Sequence, residues 1–360
     1  MSKIDINYHS LLETILEKGY TYEDPNRKGI NRIEIPSYTF RHEFEDGFPA
    51  ISTKKLHYKN VVTELLWFLR GDTNIKYLVD NGCNIWNKDA YNYYCKKFKK
   101  VHAGFSQNLF TIEEFVKHIK EGVNLDNIQG IGITIGDLGP VYGHQWRRKV
   151  TVRKNPNVNG ARLTSLVIDQ ISNLIKGLKE KPLGTEHIVN SWDPVAIPKM
   201  ALPPCHYGFQ VVVRPLDIPK YHDIYNIPYP KYGFELHWNQ RSVDTFLGLP
   251  YNITSYATLA LILEKITGYK ALGIQGDLKK VHLYDNSLDA VKEQMSRDVS
   301  KYKFCQLEQS YFTELMDEFD DKDFNLDDFI KMLDEDKEFI QLVNYKSYPA
   351  INVEMLERNE

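Results

Sequence analysis

The sequence predicts an α+β fold. Stretches with strand-like and helix-like patterning follow one another without the regular strand–helix–strand alternation of a parallel sheet. The 360 residues contain no internal repeat and no low-complexity linker, which favours one large domain. A composition of 42% apolar, 26% charged and 12% aromatic residues is that of a chain that buries a core.

The elements follow in order. Residues 8–18, around HSLLETILEK, carry helical apolar spacing that stops at Gly19. Residues 31–44, NRIEIPSYTFRHEF, alternate as strands do. Lys59–Arg70, KNVVTELLWFLR, is strongly apolar, ends at Gly71 and reads as a buried helix. Asp72 or Thr73 is placed to cap the helix that follows, NIKYLVDNG. Residues 90–135 change character: rich in Lys, Tyr and Phe, then amphipathic (FTIEEFVKHIKEG), then glycine-rich (IQGIGITIGDLG). They read as an insert or small subdomain. Residues 161–180 read as a long helix. HIVNSW, YGFQVVVRP and GFELHWN read as strands, and TSYATLALILEKITG and SLDAVKEQMSR as helices.

Composition excludes several classes. Lys and Arg total 45 against 48 Asp and Glu, a net charge of −3, so neither nucleic acid nor an anionic membrane is required as a partner. Mean hydropathy is −0.44 and no run approaches the roughly 20 apolar residues a bilayer needs. The start, MSKIDINYHS, carries Lys3 and Asp5 and lacks the apolar stretch of a signal peptide, so a cytoplasmic location is expected. Cys83, Cys95, Cys205 and Cys305 lie far apart with no CxxC pair, which argues against a disulfide scaffold or a zinc ribbon, and no metal is expected. DKDFNLDDFIKM (321–332) resembles a calcium loop only faintly. Leu326 stands where the bend needs glycine, and Met332 where a bidentate Glu is needed. RRKVTVRK (147–154) reads as a solvated basic surface, with phosphate contact as the alternative.

Four residues stand out chemically. Cys205, in MALPPCHYGFQ, is either a nucleophile or a small buried apolar side chain. As a nucleophile it needs a nearby cation to hold the thiolate at neutral pH. Arg241, in NQRSVD, is a candidate for that cation or a structural ion-pair partner. Glu64 interrupts an apolar helix. It lies on a solvated face or is buried, and burial would raise its pKa into the range of a general acid/base. Asn252, in FLGLPYNITSY, offers an amide donor and acceptor that suit one edge of a pyrimidine, or it caps a helix.

Taken together, TKKLHYKNVVTELLWFLRGDTNIKYL, GDLGPVYGHQWR, MALPPCH, QRSVDTFLGLPYNITSYATL and HLYDNSLDAVKEQMSR resemble the thymidylate synthase family in the family's own order. They span residues 20–300, with YPAI (348–351) matching near the end. The resemblance implies an α+β catalytic domain over 1–360, with the variable insert at about 90–135 and a variant C-terminal tail at 345–360. It implies a large sheet with flanking helices, one face of which packs against its twin in a homodimer whose sites are shared across the interface. The implied substrates are a deoxyuridine monophosphate (dUMP) and 5,10-methylenetetrahydrofolate, with neither membrane nor nucleic acid as partner.

Residue by residue, the resemblance makes Cys205 the thiolate that adds to uracil C6, so that C5 can attack the folate methylene. Glu64, through ordered water, manages protons at the folate and at uracil O4. Asn252 reads N3–H and O4, and argues against a cytosine substrate. Tyr142 and His206 belong to the proton network near C5. His282 and Tyr284 hold the ribose hydroxyl. Arg27, Gln240, Arg241 and Ser242 serve the nucleotide, with Arg27, Arg241 and Ser242 on the phosphate and Arg241 also stabilising the Cys205 thiolate. Asp244 takes the pterin with Trp86 beside it, and Lys54 lies where the family contacts the folate tail.

Three departures bear on the outcome. Thr185 and Glu186 stand where the family has two adjacent arginines that reach the partner's phosphate. Asp89 stands where methylating members have a second tryptophan. The chain runs PAINVEMLERNE to Glu360, beyond the usual apolar end. Reductive methylation to dTMP is the first expectation. Hydroxymethylation at C5 is the alternative, because a wetter site lets water replace hydride. A non-catalytic or nucleic-acid-binding relative is the third.

Overall fold

The computed structural model describes residues 2–101, 110–123, 134–154, 163–219, 229–302, 305–307, 325–335, 341–354 and 356. Parts of the 90–135 insert, the start of the 321–332 loop and the last residues of the tail lie outside the described residues. The chain forms two compact units. One comprises Met1–Val61, Leu174–Ile188 and Cys205–Glu360, the other Val62–Asn173 and Val189–Pro204.

The first unit is built on a mixed sheet flanked by helices, the α+β architecture expected. Its longest strand, Lys270–Tyr284, runs antiparallel to Asn31–Glu43 from Arg32↔Tyr284 to Glu43↔Gly273. On its other side it runs parallel to Tyr232–Gln240 and then to the short Val243–Asp244, which sets Asp244 opposite His282. Tyr232–Gln240 continues the sheet antiparallel to His206–Pro215, and Tyr20–Glu23 pairs antiparallel with Asn31–Glu43.

Helix Lys3–Lys18 buries Ile4, Tyr8, Leu11, Leu12 and Ile15, the i, i+3, i+4 stripe of a one-sided helix, and ends at Gly19. Helix Leu249–Thr267 is apolar nearly all round, so it is buried, and it ends at Gly268 in the left-handed conformation. Tyr256 on this helix stacks on Trp238 at 5.2 Å and 13°. Trp238 in turn covers Gly276, where an added Cβ would lie 2.3 Å from the indole. Strand Lys270–Tyr284 carries no clear signal in the sequence, because its glycines and Lys279–Lys280 break the alternation.

In the second unit, helix Tyr58–Leu69 leads in and buries Leu65, Leu66, Trp67 and Phe68. Helix Lys76–Asp80 is not capped by Asp72 or Thr73. Asn74 Oδ1 accepts the Lys76 N–H at 2.9 Å, while Asp72 is held by Arg70 Nε at 2.8 Å. The described part of the insert contains helices Asn87–Val101 and Ile112–Glu121. Thr111 and Glu114 form a capping box on the second, and Phe115 packs on Tyr91 and Tyr94. The long helix expected over 161–180 divides. Leu163–Ile168 is a strand paired antiparallel with Lys149–Lys154, and the helix begins only at Gln170. Asp169 marks the break, accepting the Ser172 N–H at 2.9 Å in the manner of an N-cap. The β-branched and leucine run of LTSLVI favours the hairpin over a longer helix.

Candidate active site

In the first unit, Cys205 immediately precedes strand His206–Pro215. Its carbonyl accepts the Arg241 N–H at 2.8 Å, which fixes the nucleophile candidate and the arginine side by side at one sheet end. Cys205 is the partly exposed thiol, whereas Cys83, Cys95 and Cys305 are buried. Burial pushes Cys83 up to about 11 and Cys305 up to about 12, so these two remain thiols at neutral pH. His206 Nδ1 lies 2.8 Å from the Tyr256 hydroxyl. Desolvation lowers the His206 pKa to about 3, so the ring is neutral across the physiological range.

Asn252 is not the cap of its helix. Gly248 occupies that position, while Gln240 Nε2 donates to Asn252 Oδ1 at 3.0 Å and to the Ser242 carbonyl at 3.3 Å. Trp238 Nε1 donates to Gln240 Oε1 at 3.2 Å. The indole thus fixes the glutamine amide, and the glutamine fixes the asparagine amide. Asp244 Oδ1 accepts the Phe246 and Leu247 N–H groups at 3.1 and 3.0 Å. Its second oxygen has no hydrogen-bond partner among the described residues.

His282 Nδ1 lies 2.7 Å from the Lys280 carbonyl, which only accepts, so the proton is on Nδ1 and Nε2 is left as an acceptor. Among the described residues Nε2 is buried with no hydrogen-bond partner, an acceptor that suits a hydroxyl or N–H donor. The Tyr284 ring lies 4.8 Å away. Lys280 takes φ 47°, a conformation uncommon for a side-chain-bearing residue. The Tyr284 hydroxyl accepts from Arg27 Nη1 at 2.8 Å and faces Asp24 Oδ2 at 3.4 Å. Arg27 also donates to the Leu356 carbonyl at 3.4 Å from both Nε and Nη2.

Lys54 is 4% exposed, bonded through Nζ to the Phe246 carbonyl and seated 3.7 Å from the Phe246 ring centre. Burial lowers its pKa to about 8, with Asp244 opposing. Its neighbours Ser52 and Thr53 are anchored on Asp5, a fully buried carboxylate that accepts from both of their N–H groups and both hydroxyls. Sequence reading missed this role of Asp5, since the bonds cross 47 residues of chain. Thr185 and Glu186 are exposed, Glu186 Oε2 accepting the Thr185 N–H at 3.0 Å.

In the second unit, Trp86 Nε1 donates to Glu64 Oε1 at 2.7 Å, so Glu64 is not on a solvated face. Burial pushes its carboxyl up to about 7, with the indole bond opposing. Tyr142, 3% exposed, opens helix Tyr142–Arg147 and packs edge-on to Trp86 at 6.1 Å. Asp89 lies in the first turn of helix Asn87–Val101. Among the described residues, no group of three or more His, Cys, Asp or Glu is placed to hold a metal ion, and no helix is long and apolar enough to cross a membrane.

A partly exposed thiol, an oriented amide and a buried imidazole acceptor at one sheet end make this the candidate active site. Comparison with known proteins narrows this. The family model for thymidylate synthase matches residues 6–357, and the chain belongs to the thymidylate synthase family, whose chemistry is one-carbon transfer. It is 36% identical over 348 residues to a thymidylate synthase of Mycoplasma mobile, covering 97% of this chain and 98% of the relative. It is 34% identical over 322 residues to one of Phytoplasma mali, covering 89% and 95%. A Mycoplasma genitalium thymidylate synthase is 37% identical over 272 residues, covering 76% and 79%.

Proposed function

We propose that this protein methylates dUMP at C5 to give dTMP, with Cys205 bonded to C6 during the reaction. The observation that carries the reading is the bracket between Cys205 and Arg241, which sets the partly exposed thiol beside a guanidinium-bearing residue. The names of the relatives agree with it. As the Cys205 Sγ–C6 bond forms, the C5=C6 electron pair moves toward O4, and C5 becomes the nucleophile. When bound, 5,10-methylenetetrahydrofolate supplies the electrophilic carbon and then the hydride. Asn252, its Oδ1 tied to Gln240, turns its amide edge to N3–H and O4 of uracil. His282 Nε2 accepts the proton of the ribose hydroxyl, with Tyr284 as second partner. Arg27, Arg241 and Ser242 take the phosphate. Asp244 offers its unengaged oxygen to the pterin, and Lys54 serves the folate tail after leaving the Phe246 carbonyl. Glu64, near its midpoint at neutral pH, holds or releases a proton for the ring, with Trp86 and Tyr142 ordering its surroundings, and His206 serves the proton network near C5.

In this reading the chain is one catalytic domain with an insert at about 90–135, works as a cytoplasmic homodimer and needs no metal. Asp89, a polar residue where methylating relatives carry an indole, favours water entry and keeps hydroxymethylation as the second reading. Mass spectrometry of the nucleotide product, with dihydrofolate absorbance in parallel, tests the proposal. A methylated product with one dihydrofolate per turnover is expected. A hydroxymethylated product without dihydrofolate would replace the first reading by the second.

A further inference from the structure

We propose that Arg32 is a binding residue for the 5′ phosphate of the nucleotide, a guanidinium supplied from within the chain where the arginine pair of the family is absent. The inference rests on the reading above, in which His282 and Tyr284 hold the sugar. Two rows of side chains cross the sheet at this end. Tyr22, Arg32 and Tyr284 are directly opposed in register, and so are Tyr20, Glu34, His282 and Asp244. Directly opposed residues of an antiparallel pair share a face, so Arg32 projects on the same face as Tyr284.

Arg32 is 7% exposed, and its guanidinium lies 4.8 Å from the Tyr22 ring centre. A buried guanidinium with five N–H donors ordinarily makes several short hydrogen bonds. Here its two ion pairs are long: Nη1 is 3.4 Å from Asp24 Oδ2 and Nε is 3.6 Å from Glu34 Oε2, and among the described residues Nε has no hydrogen-bond partner. Both carboxylates are committed elsewhere. Glu34 accepts from Tyr20 and Tyr22 at 2.7 Å and from Lys280 at 3.0 Å. Asp24 Oδ1 takes the Asn26 N–H at 2.7 Å, and Oδ2 faces the Tyr284 hydroxyl and Arg27 as well. The cluster holds three cations (Arg27, Arg32, Lys280) against three carboxylates (Asp24, Glu34 and Asp244, which stands opposite His282 in the second row). Without Arg32 it would carry a net negative charge that repels an anionic group, and Arg32 cancels that charge. Arg27 bonds the Tyr284 hydroxyl from one side and Arg32 lies opposite Tyr284 in the ladder, so the two guanidiniums flank the sugar-binding tyrosine.

The test compares dUMP with deoxyuridine in the wild-type enzyme, Arg32→Gln and Arg32→Lys, using the ratio of kcat/KM values, with binding of both ligands by calorimetry. A charge-assisted contact predicts that the wild type prefers dUMP and that Arg32→Gln loses at least about tenfold of that preference, with deoxyuridine handled as before. Arg32→Lys keeps most of the preference. If Arg32→Gln weakens both ligands equally, or leaves the preference intact while the wild type methylates dUMP, the assignment of Arg32 is overturned and the methylation reading stands. If the wild type neither binds nor converts dUMP, the methylation reading falls and takes the assignment with it.

Discussion

Glu64 shows how one side chain couples stability to chemistry. Its carboxyl is pushed up to about 7, while an unfolded glutamate titrates near 4.3. The folded state therefore keeps a proton that the unfolded chain gives up. The resulting stability is fully present below about pH 4.3 and is lost as pH rises through about 7. The span is worth on the order of 3–4 kcal/mol. Glu64→Gln is expected to flatten this part of the stability curve, measured by denaturant unfolding across pH 4–8. The same variant should lower kcat by roughly 10²–10⁴ and abolish a pH–rate break near 7. A break that persists in the glutamine variant would assign that titration to another group. Cys205, Glu64 and Asn252 stood out as candidates because each breaks its local pattern: a thiol after two prolines, a charge in an apolar helix, an amide among apolar residues. Asp5, Asp24 and Arg32 were not, because their partners come from strand register and from loops far along the chain.

At the scale of elements, the sheet is held to its buried helix through Trp238. The indole stacks on Tyr256 and covers Gly276 on the neighbouring strand. Gly276→Ala would force a methyl to within 2.3 Å of the ring. A destabilisation of about 1–3 kcal/mol or more is expected by thermal or chemical unfolding. It should be accompanied by weaker nucleotide binding, because Trp238 also orients Gln240 and through it Asn252. An unchanged unfolding midpoint would show that the ring moves aside freely. Helices with a one-sided apolar stripe, such as Lys3–Lys18, were readable from spacing alone. Strand Lys270–Tyr284 was not, since it is paired on both edges and its glycines exist to admit neighbours such as Trp238. The stretch 161–180 misled for a related reason: the pairing of Leu163–Ile168 with Lys149–Lys154 overrides a sequence that also fits a helix.

At the scale of the molecule, the described part of the tail is tied down at several points. The Tyr348 N–H bonds the Ser52 carbonyl at 2.8 Å, Arg297 holds the Pro349 carbonyl at 2.8 Å, Asn286 holds the Glu354 carbonyl at 3.0 Å, and Leu356 reaches Arg27. The proposed nucleotide site and Leu356 of the tail are therefore linked through one arginine. The proposed homodimer is tested by the mass of the protein in solution. Sedimentation at twice the chain mass is expected, and a single-chain mass at assay concentrations would refute it. Neither the division into two units nor the oligomeric state was written in the composition, because no linker separates the units and the net charge of −3 says nothing about where charge gathers.

The central claim is that Cys205 bonds to C6 of a deoxyuridine monophosphate. A 5-fluorinated analogue of that nucleotide, incubated with the protein and methylenetetrahydrofolate, tests it most directly, read by intact-protein mass spectrometry. The account predicts a covalent complex of chain, nucleotide and folate in the wild type and none in Cys205→Ser. A wild-type protein that forms no adduct while remaining folded would contradict it.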